Sequence, residues 1–327
     1  TRALIDVAFG YQNKILEQEI LGVKFLNPIG LAAGFDKDAH LTQILPAVGF
    51  GFEEIGSVTG EYCAGNSGQR LWRLPKSESL LVYYGLKNNG CEEISSRLEK
   101  LNFRIPLGVS IAKTNCVVTA ETDAGVADYL KAFKTFVARG VGDYFTINIS
   151  CPNAFGGQTF TDSKSLDQLL TALEQVECDQ PIFIKLSPDL SNEEIDAILS
   201  VSNKHRVHGF VCTNLTKRRD NPKIKETDLP AQGGLSGKVV QGLADDLLKY
   251  VYRQTGGQKI IIGCGGIFSA ADAYHKIRLG ASLLQLITGM IYRGPQVIGE
   301  INRGLAKLLE RDGFKNISEA VGVDNQA

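Results

Sequence analysis

In the stretch "KIIIGCGGIFSAADAYHKIRLGASLLQLIT", Lys259 to Thr288, the hydrophobic period changes twice. It opens with "KIIIGCG" (259–265), a short β-branched run, apolar at most positions, which reads as a strand buried on both faces. After the two glycines, "SAADAYHKIRLG" (269–280) sets Ala270, Ala273, Tyr274 and Ile277 at helical spacing. A second strand-like run, "LLQLIT" (283–288), follows at once. Strand, helix and strand in this compass make a parallel βαβ unit, because parallel neighbours need a crossover of about that length.

The same alternation extends outward over the whole chain. Comparable runs are "NPIGLAAG" (27–34), "EEIGSVT" (53–59), "PLGVSIA" (106–112), "YFTINIS" (144–150), "PIFIKLS" (181–187) and "GFVCTN" (209–214). Between them lie helical patterns such as "AGVADYLKAFKTFVARG", "SNEEIDAILSVSNK" and, after the last strand, "GPQVIGEINRGLAKLLERDG". Eight βα units without a linker predict an α/β fold, a (β/α)8 TIM barrel over residues 17–327. Residues 60–105 and 215–238 read as excursions from it. Residues 1–16 read as an N-terminal helical segment, with Leu4, Ala8, Tyr11 and Ile15 on one apolar face and Ile5, Phe9 and Leu16 beside it.

Composition narrows the function classes. The chain has 327 residues, a formal net charge of −1 and a pI near 6.4, so it lacks the basic field that draws nucleic acid. Its cysteines (63, 91, 116, 151, 178, 212 and 264) form no C-x-x-C pair. That argues against a disulfide framework, a zinc knuckle or an iron–sulfur cluster, and it fits a reducing cytoplasm. The histidines are too scattered for a metal site, and His205 and His208, which precede a strand, are expected to be structural. No run approaches the roughly 18–20 apolar residues of a bilayer span, and no signal-peptide pattern is present.

Active sites of such barrels lie at the C-terminal ends of the strands, and the residues there are polar. Lys37 follows the first run, Ser57 and Thr59 end the second, and Ser110 lies in the third. Asn148, Ser150, Cys151 and Asn153 stand at the fourth, Lys185 in the fifth, and Thr213 and Asn214 at the sixth. Gly265 with Gly266, and Thr288 with Gly289, close the last two, where barrels of this type bind phosphate through backbone N–H groups; a phosphorylated ligand is expected. Lys37 and Lys185 point to either anion binding or a Schiff base. Inside an apolar strand, Lys185 needs an anionic partner or a lowered pKa. The amides of Asn148, Asn153 and Asn214 suit a flat ring with donors and acceptors on its edges. No G-x-G-x-x-G follows a strand, and "GGLSGK" (233–238) is one residue short of a P-loop, with Val239 where Ser or Thr would hold magnesium.

Taken together, "NPIGLAAGFDKD", "GFGFEEIGSVT", "NISCPN", "IKLSPDLS", "TNLTKRRDN", "GGLSGK", "IIGCGGIFSAADAYHKIRLGAS" and "QLITGMIYRGPQVI" resemble dihydroorotate dehydrogenase, from about Leu21 to Val323. Block spacing and the C-terminal "IYRGP…GF…EAVG" look most like the quinone-linked, membrane-associated class. The resemblance implies FMN, with flavin-binding roles for Ala32, Ala33, Gly34, Ser57, Asn148, Lys185, Thr213, Ser236, Gly237, Gly265, Gly266, Thr288 and Gly289. It implies orotate contacts at Lys37, Asn148, Asn153 and Asn214. The implied reaction belongs to pyrimidine biosynthesis: a base takes the C5 proton of dihydroorotate while hydride passes from C6 to the flavin.

The chain departs from the family pattern at several points. The base is serine in the quinone-linked class, whereas Cys151 stands here, as in the soluble classes. Val82 and Tyr83 replace an asparagine and an arginine, Ser110 an asparagine, Ala154 and Leu215 threonines, and Leu86 a phenylalanine. Cys151 reaches its thiolate far more readily than serine reaches an alkoxide; Lys37 nearby is expected to favour the anion and burial to oppose it. Quinone is the expected acceptor, reached through the N-terminal segment at the membrane surface, on the cytoplasmic face of the inner membrane. Fumarate is an alternative, while NAD would require a partner subunit. A flavin barrel with another substrate, a ligand-binding barrel without catalysis, and a Schiff-base aldolase using Lys185 are the competing readings.

Overall fold

The computed structural model describes residues 2–154 and 160–325. Its strands are β1 (Gln18–Ile20), β2 (Val23–Phe25), β3 (Ile29–Leu31), β4 (Phe52–Val58), β5 (Leu71–Leu74), β6 (Ser79–Val82) and β7 (Leu107–Ile111). They continue as β8 (Tyr144–Asn148), β9 (Ile182–Leu186), β10 (Gly209–Cys212), β11 (Gly234–Gly237), β12 (Ile260–Cys264) and β13 (Leu283–Leu286). The helices are α1 (Arg2–Phe9), α2 (Leu45–Val48), α3 (Cys91–Leu98), α4 (Thr122–Ala138), α5 (Ser163–Glu174), α6 (Asn192–Ser202), α7 (Gln241–Gln254), α8 (Ala270–Leu279), α9 (Thr288–Arg293) and α10 (Val297–Arg311).

Strands β3, β4, β7, β8, β9, β10, β12 and β13 close into one parallel barrel in that order, with β13 pairing back onto β3. Each expected run supplies one of them, within a residue or a few at either end; β4 begins at Phe52, one residue ahead of its run. Of "NPIGLAAG" only Ile29–Leu31 is strand, because the chain turns outward beyond it and Gly34 has a φ of +113°. Local chemistry starts the covering helices where the sequence places them. Ser191 and Glu194 cap α6 reciprocally, and the Ser269 hydroxyl accepts from the Asp272 N–H at the start of α8.

The period of two along the strands fills the barrel in layers. At the bottom, Phe52, Tyr144 and Phe183 meet edge to face, with ring centroids 6.4 and 5.5 Å apart. A Cβ on Gly30 would lie 2.3 Å from the Phe52 ring, so the glycine is required by space. One layer up, Thr146 Oγ1 and Gln285 Nε2 donate to Glu54 Oε2 at 2.8 and 2.9 Å. The next residues on the same face, Asn148 and Lys185, open into the barrel mouth.

Three features differ from the sequence expectation. The two excursions are not separate loops: β5, β6 and β11 form one antiparallel sheet, and "GLSG" of the rejected P-loop is β11 itself. The β1–β2 hairpin, turning at Leu21 and Gly22 with φ of 52° and 79°, packs Phe25 against the bottom aromatics. The segment 1–16 is not one helix. α1 ends at Phe9, and a separate 3-10 turn, Lys14–Leu16, starts where Asn13 Oδ1 accepts from Ile15 N at 3.1 Å. Leu4 and Val7 stand 74% and 86% exposed, and of the expected face only Leu16 is buried. Thr1 lies outside the described residues, among which no helix is long and apolar enough to cross a membrane.

Candidate active site

A cavity of about 350 Å3 opens at the C-terminal ends of the strands, roofed by the β5–β6–β11 sheet. All the candidate binding and catalytic residues line it. Ala32, Ala33, Gly34 and Lys37 come from the loop after β3, Ser57 from β4, and Asn148, Cys151 and Asn153 from the end of β8. Lys185 projects from β9, Thr213 and Asn214 follow β10, Gly265 and Gly266 follow β12, Thr288 and Gly289 begin α9, and Ser236 and Gly237 descend from the roof. Thr59, Ser110 and Ser150 are fully buried behind the wall instead. Sequence reasoning missed Phe35, Tyr84, Lys87 and Cys264 as lining residues. Tyr84 and Lys87 lie on the far side of the roof strand, where no strand-end rule could single them out.

Polar side chains hold one another in place across the floor. Ser110 Oγ and Ser57 Oγ lie 2.7 Å apart, and Asn148 Nδ2 donates to Ser57 Oγ at 2.8 Å. Asn148 Oδ1 accepts from Ser150 Oγ at 3.1 Å and from Asn214 Nδ2 at 3.3 Å, and Asn214 Nδ2 also donates to Ser150 Oγ at 2.9 Å. Asn153 Nδ2 reaches across to the Val82 carbonyl in the roof at 2.9 Å. Ser110 and Val82, both departures from the family pattern, are thus built into this frame.

The charge lining the cavity has one sign: Lys37, Lys87 and Lys185, and no carboxylate. Lys185 is 5% exposed, and its ammonium has no hydrogen-bond partner among the described residues. Lys37 donates to the Gly34 carbonyl and lies 4.3 Å from the centroid of the Tyr84 ring. Burial brings its pKa down to about 8, against the attraction of Asp38. On the opposite side, the N–H groups of Gly265, Gly266, Thr288 and Gly289 make no hydrogen bond among the described residues. Gly266, with a φ of +76° and Gln241 Cβ only 2.4 Å from where a Cβ would stand, admits no side chain. Unpaired backbone donors on one side, and the unpartnered Lys185 ammonium with Lys37 in the same cavity, make an anion site at two places.

Cys151 follows β8 and faces this cavity, half-buried. Burial pushes its thiol up to about 11, while the N–H groups of Asn153 and Ala154 pull the other way. A cation acting on it is Lys217, in the loop after β10, while Lys37, which the sequence suggested, donates to Gly34 and lies against Tyr84. The close histidines are structural. His208 Nδ1 accepts from Ile182 N at 3.0 Å, and His205 bridges Asp167 and Glu174.

The family model described as dihydroorotate dehydrogenase matches residues 15–309. A "dihydroorotate dehydrogenase (quinone)" of Trichodesmium erythraeum is 37% identical over 99% of this chain and 88% of its own length. One of the same name from Haloarcula marismortui is 39% identical over 94% of this chain and 86% of its own. Among solved structures, the Eimeria tenella dihydroorotate dehydrogenase in complex with ferulenol superposes with a TM-score of 0.87, at 29% identity, over all of this chain and 94% of its own. The chain belongs to the dihydroorotate dehydrogenase family, and among its relatives are those that carry the quinone-linked name.

Proposed function

We propose that the protein is an FMN-dependent enzyme that oxidises dihydroorotate to orotate and passes the electrons to a quinone. The observation that carries the reading is the convergence of Cys151, Lys37, Lys185 and the three asparagines on one cavity whose charged groups are all cationic. The residues present fit FMN: the unpaired N–H groups of Gly265, Gly266, Thr288 and Gly289 suit its phosphate, and the buried, unpartnered Lys185 ammonium suits the anionic edge of a reduced ring. When bound, FMN supplies a two-electron sink for the hydride leaving C6.

The side chains do the rest. Lys37 holds the substrate carboxylate, and a carboxylate beside it favours its charged form against the cost of burial. Asn148, Asn153 and Asn214 exchange their bonds to Ser57, Val82 and Ser150 for the edges of the pyrimidine ring. Cys151, as thiolate, takes the proton from C5, and the roof excludes water while it does so. Family membership lends no support to the aldolase reading of Lys185.

Rapid mixing of flavin-loaded protein with dihydroorotate tests the base. Cys151→Ala is expected to keep the flavin and lose at least about 100-fold in flavin reduction, and Cys151→Ser to retain activity with its pH optimum moved upward. Unchanged reduction in the alanine variant sinks the assignment. Turnover compared with a short-chain quinone, fumarate and NAD+ tests the acceptor; the quinone is expected to support it, and preference for fumarate refutes that part.

A further inference from the structure

Behind Cys151, away from the main cavity, is a second hollow of about 10 Å3, lined by Cys151, Asn148, Lys113, Tyr129, Leu86 and Ala154 among others. Its size is about that of one water. Lys113 follows β7, is 4% exposed, and its ammonium is fixed by donation to the Thr119 carbonyl at 2.9 Å. Tyr129, from α4, donates from its hydroxyl to the Asn148 carbonyl at 2.8 Å and so ties the wall of the hollow to the end of β8. A buried lysine and the half-buried Cys151 therefore line one small hollow, and the reaction as described uses only the thiol.

We propose that Lys113 is a positioning residue for the base: across this hollow its ammonium favours the thiolate form of Cys151 that accepts the substrate proton. The inference rests on Cys151 being that base. Desolvation lowers the proton affinity of Lys113 and the Cys151 charge opposes that lowering; such coupling is reciprocal, so the ammonium favours the thiolate. The other groups acting on Cys151 include Cys63 from the first excursion, Lys217 after β10 and Tyr129 from α4; those acting on Lys113 include Cys116 and Asp128. Tyr129 is held protonated by burial and supplies no charge. Lys217 is exposed, so salt screens it, whereas Lys113 is shielded from salt by burial.

The test reads the thiol directly. Flavin-loaded protein is alkylated with iodoacetamide between pH 7 and 9, and modification is followed on the Cys151 peptide by mass spectrometry. Lys113→Met is expected to slow alkylation about tenfold at each pH, equivalent to an upward shift of about one unit, and to do so equally at low salt and in 1 M KCl. Lys113→Arg is expected to restore the wild-type profile. Lys217→Met is expected to give a slowing at low salt that vanishes in 1 M KCl. In rapid mixing with dihydroorotate, Lys113→Met should lower the limiting rate of flavin reduction about tenfold and leave the substrate Kd unchanged. If the methionine variant does not fold, Lys113→Gln, which keeps a donor for the Thr119 carbonyl, replaces it. Alkylation of the neutral variants at the wild-type rate overturns the role of Lys113. Flavin reduction by Cys151→Ala at the wild-type rate instead overturns the base assignment, and the two failures are read from different variants.

Discussion

Burial shifts Cys151 and Lys37 in opposite directions in the same cavity. Burial holds the thiol up near 11, so the fraction of working thiolate grows with pH throughout the neutral range. Burial holds Lys37 down near 8, so above that pH the ammonium that would bind the substrate carboxylate is lost. The limiting rate of flavin reduction is therefore expected to rise with pH, while the Kd for orotate rises above about pH 8, by up to tenfold per unit. Titrating orotate into the protein at several pH values checks this, and Lys37→Gln should bind weakly with no such pH dependence. A Kd flat from pH 7 to 10 in the unmodified protein would show that Lys37 does not hold the carboxylate. Cys151, Lys37 and Lys185 were legible as sequence because each stands in or just after a strand-like run. Lys217 and Lys113 were not, since any relation to Cys151 arises only when barrel closure gathers the ends of β7, β8 and β10 at one mouth.

Among the elements, the barrel strands and their covering helices follow from periodicity, and the caps at Ser191 and Ser269 mark the starts of α6 and α8. The pieces that escaped have weak local signals. β11 is "GLSG", half glycine, and it is a strand only because Leu81 and Leu80 of β6 pair with Leu235 and Ser236. The β1 and β2 strands are three residues each, too short for alternation to declare itself. His205 links elements in a way spacing cannot show. Burial alone would lower its pKa, but hydrogen bonds to Glu174 and Asp167 of α5 outweigh that and hold it above the usual value. A raised folded-state pKa adds stability that is complete below the ordinary histidine value near 6.5 and fades as pH rises through the folded one. Because both carboxylates are partly exposed, the contribution is expected to be about 1 kcal/mol or less. Denaturant unfolding of His205→Gln should show that loss at pH 5.5 and little of it at pH 9; an equal loss at both would assign the effect to packing.

For the molecule as a whole, one barrel sets the site at its mouth, while the roof sheet and α1 are additions made by segments outside the repeat. The exposed Leu4 and Val7 give α1 an apolar outer surface, the kind of face through which the sequence leads one to expect the N-terminal segment to reach a membrane. Leu4→Asp with Val7→Asp is expected to reduce sedimentation with lipid vesicles severalfold and leave flavin reduction by dihydroorotate unchanged; unaltered sedimentation would remove α1 from that role. Cofactor, substrate and base meet in a single experiment, the anaerobic titration of the purified protein with dihydroorotate while the visible flavin absorption is followed. Bleaching with one equivalent of dihydroorotate per flavin is the expected result. A yellow protein that stays yellow, or a colourless one that binds no FMN, would contradict the proposed reaction at its centre.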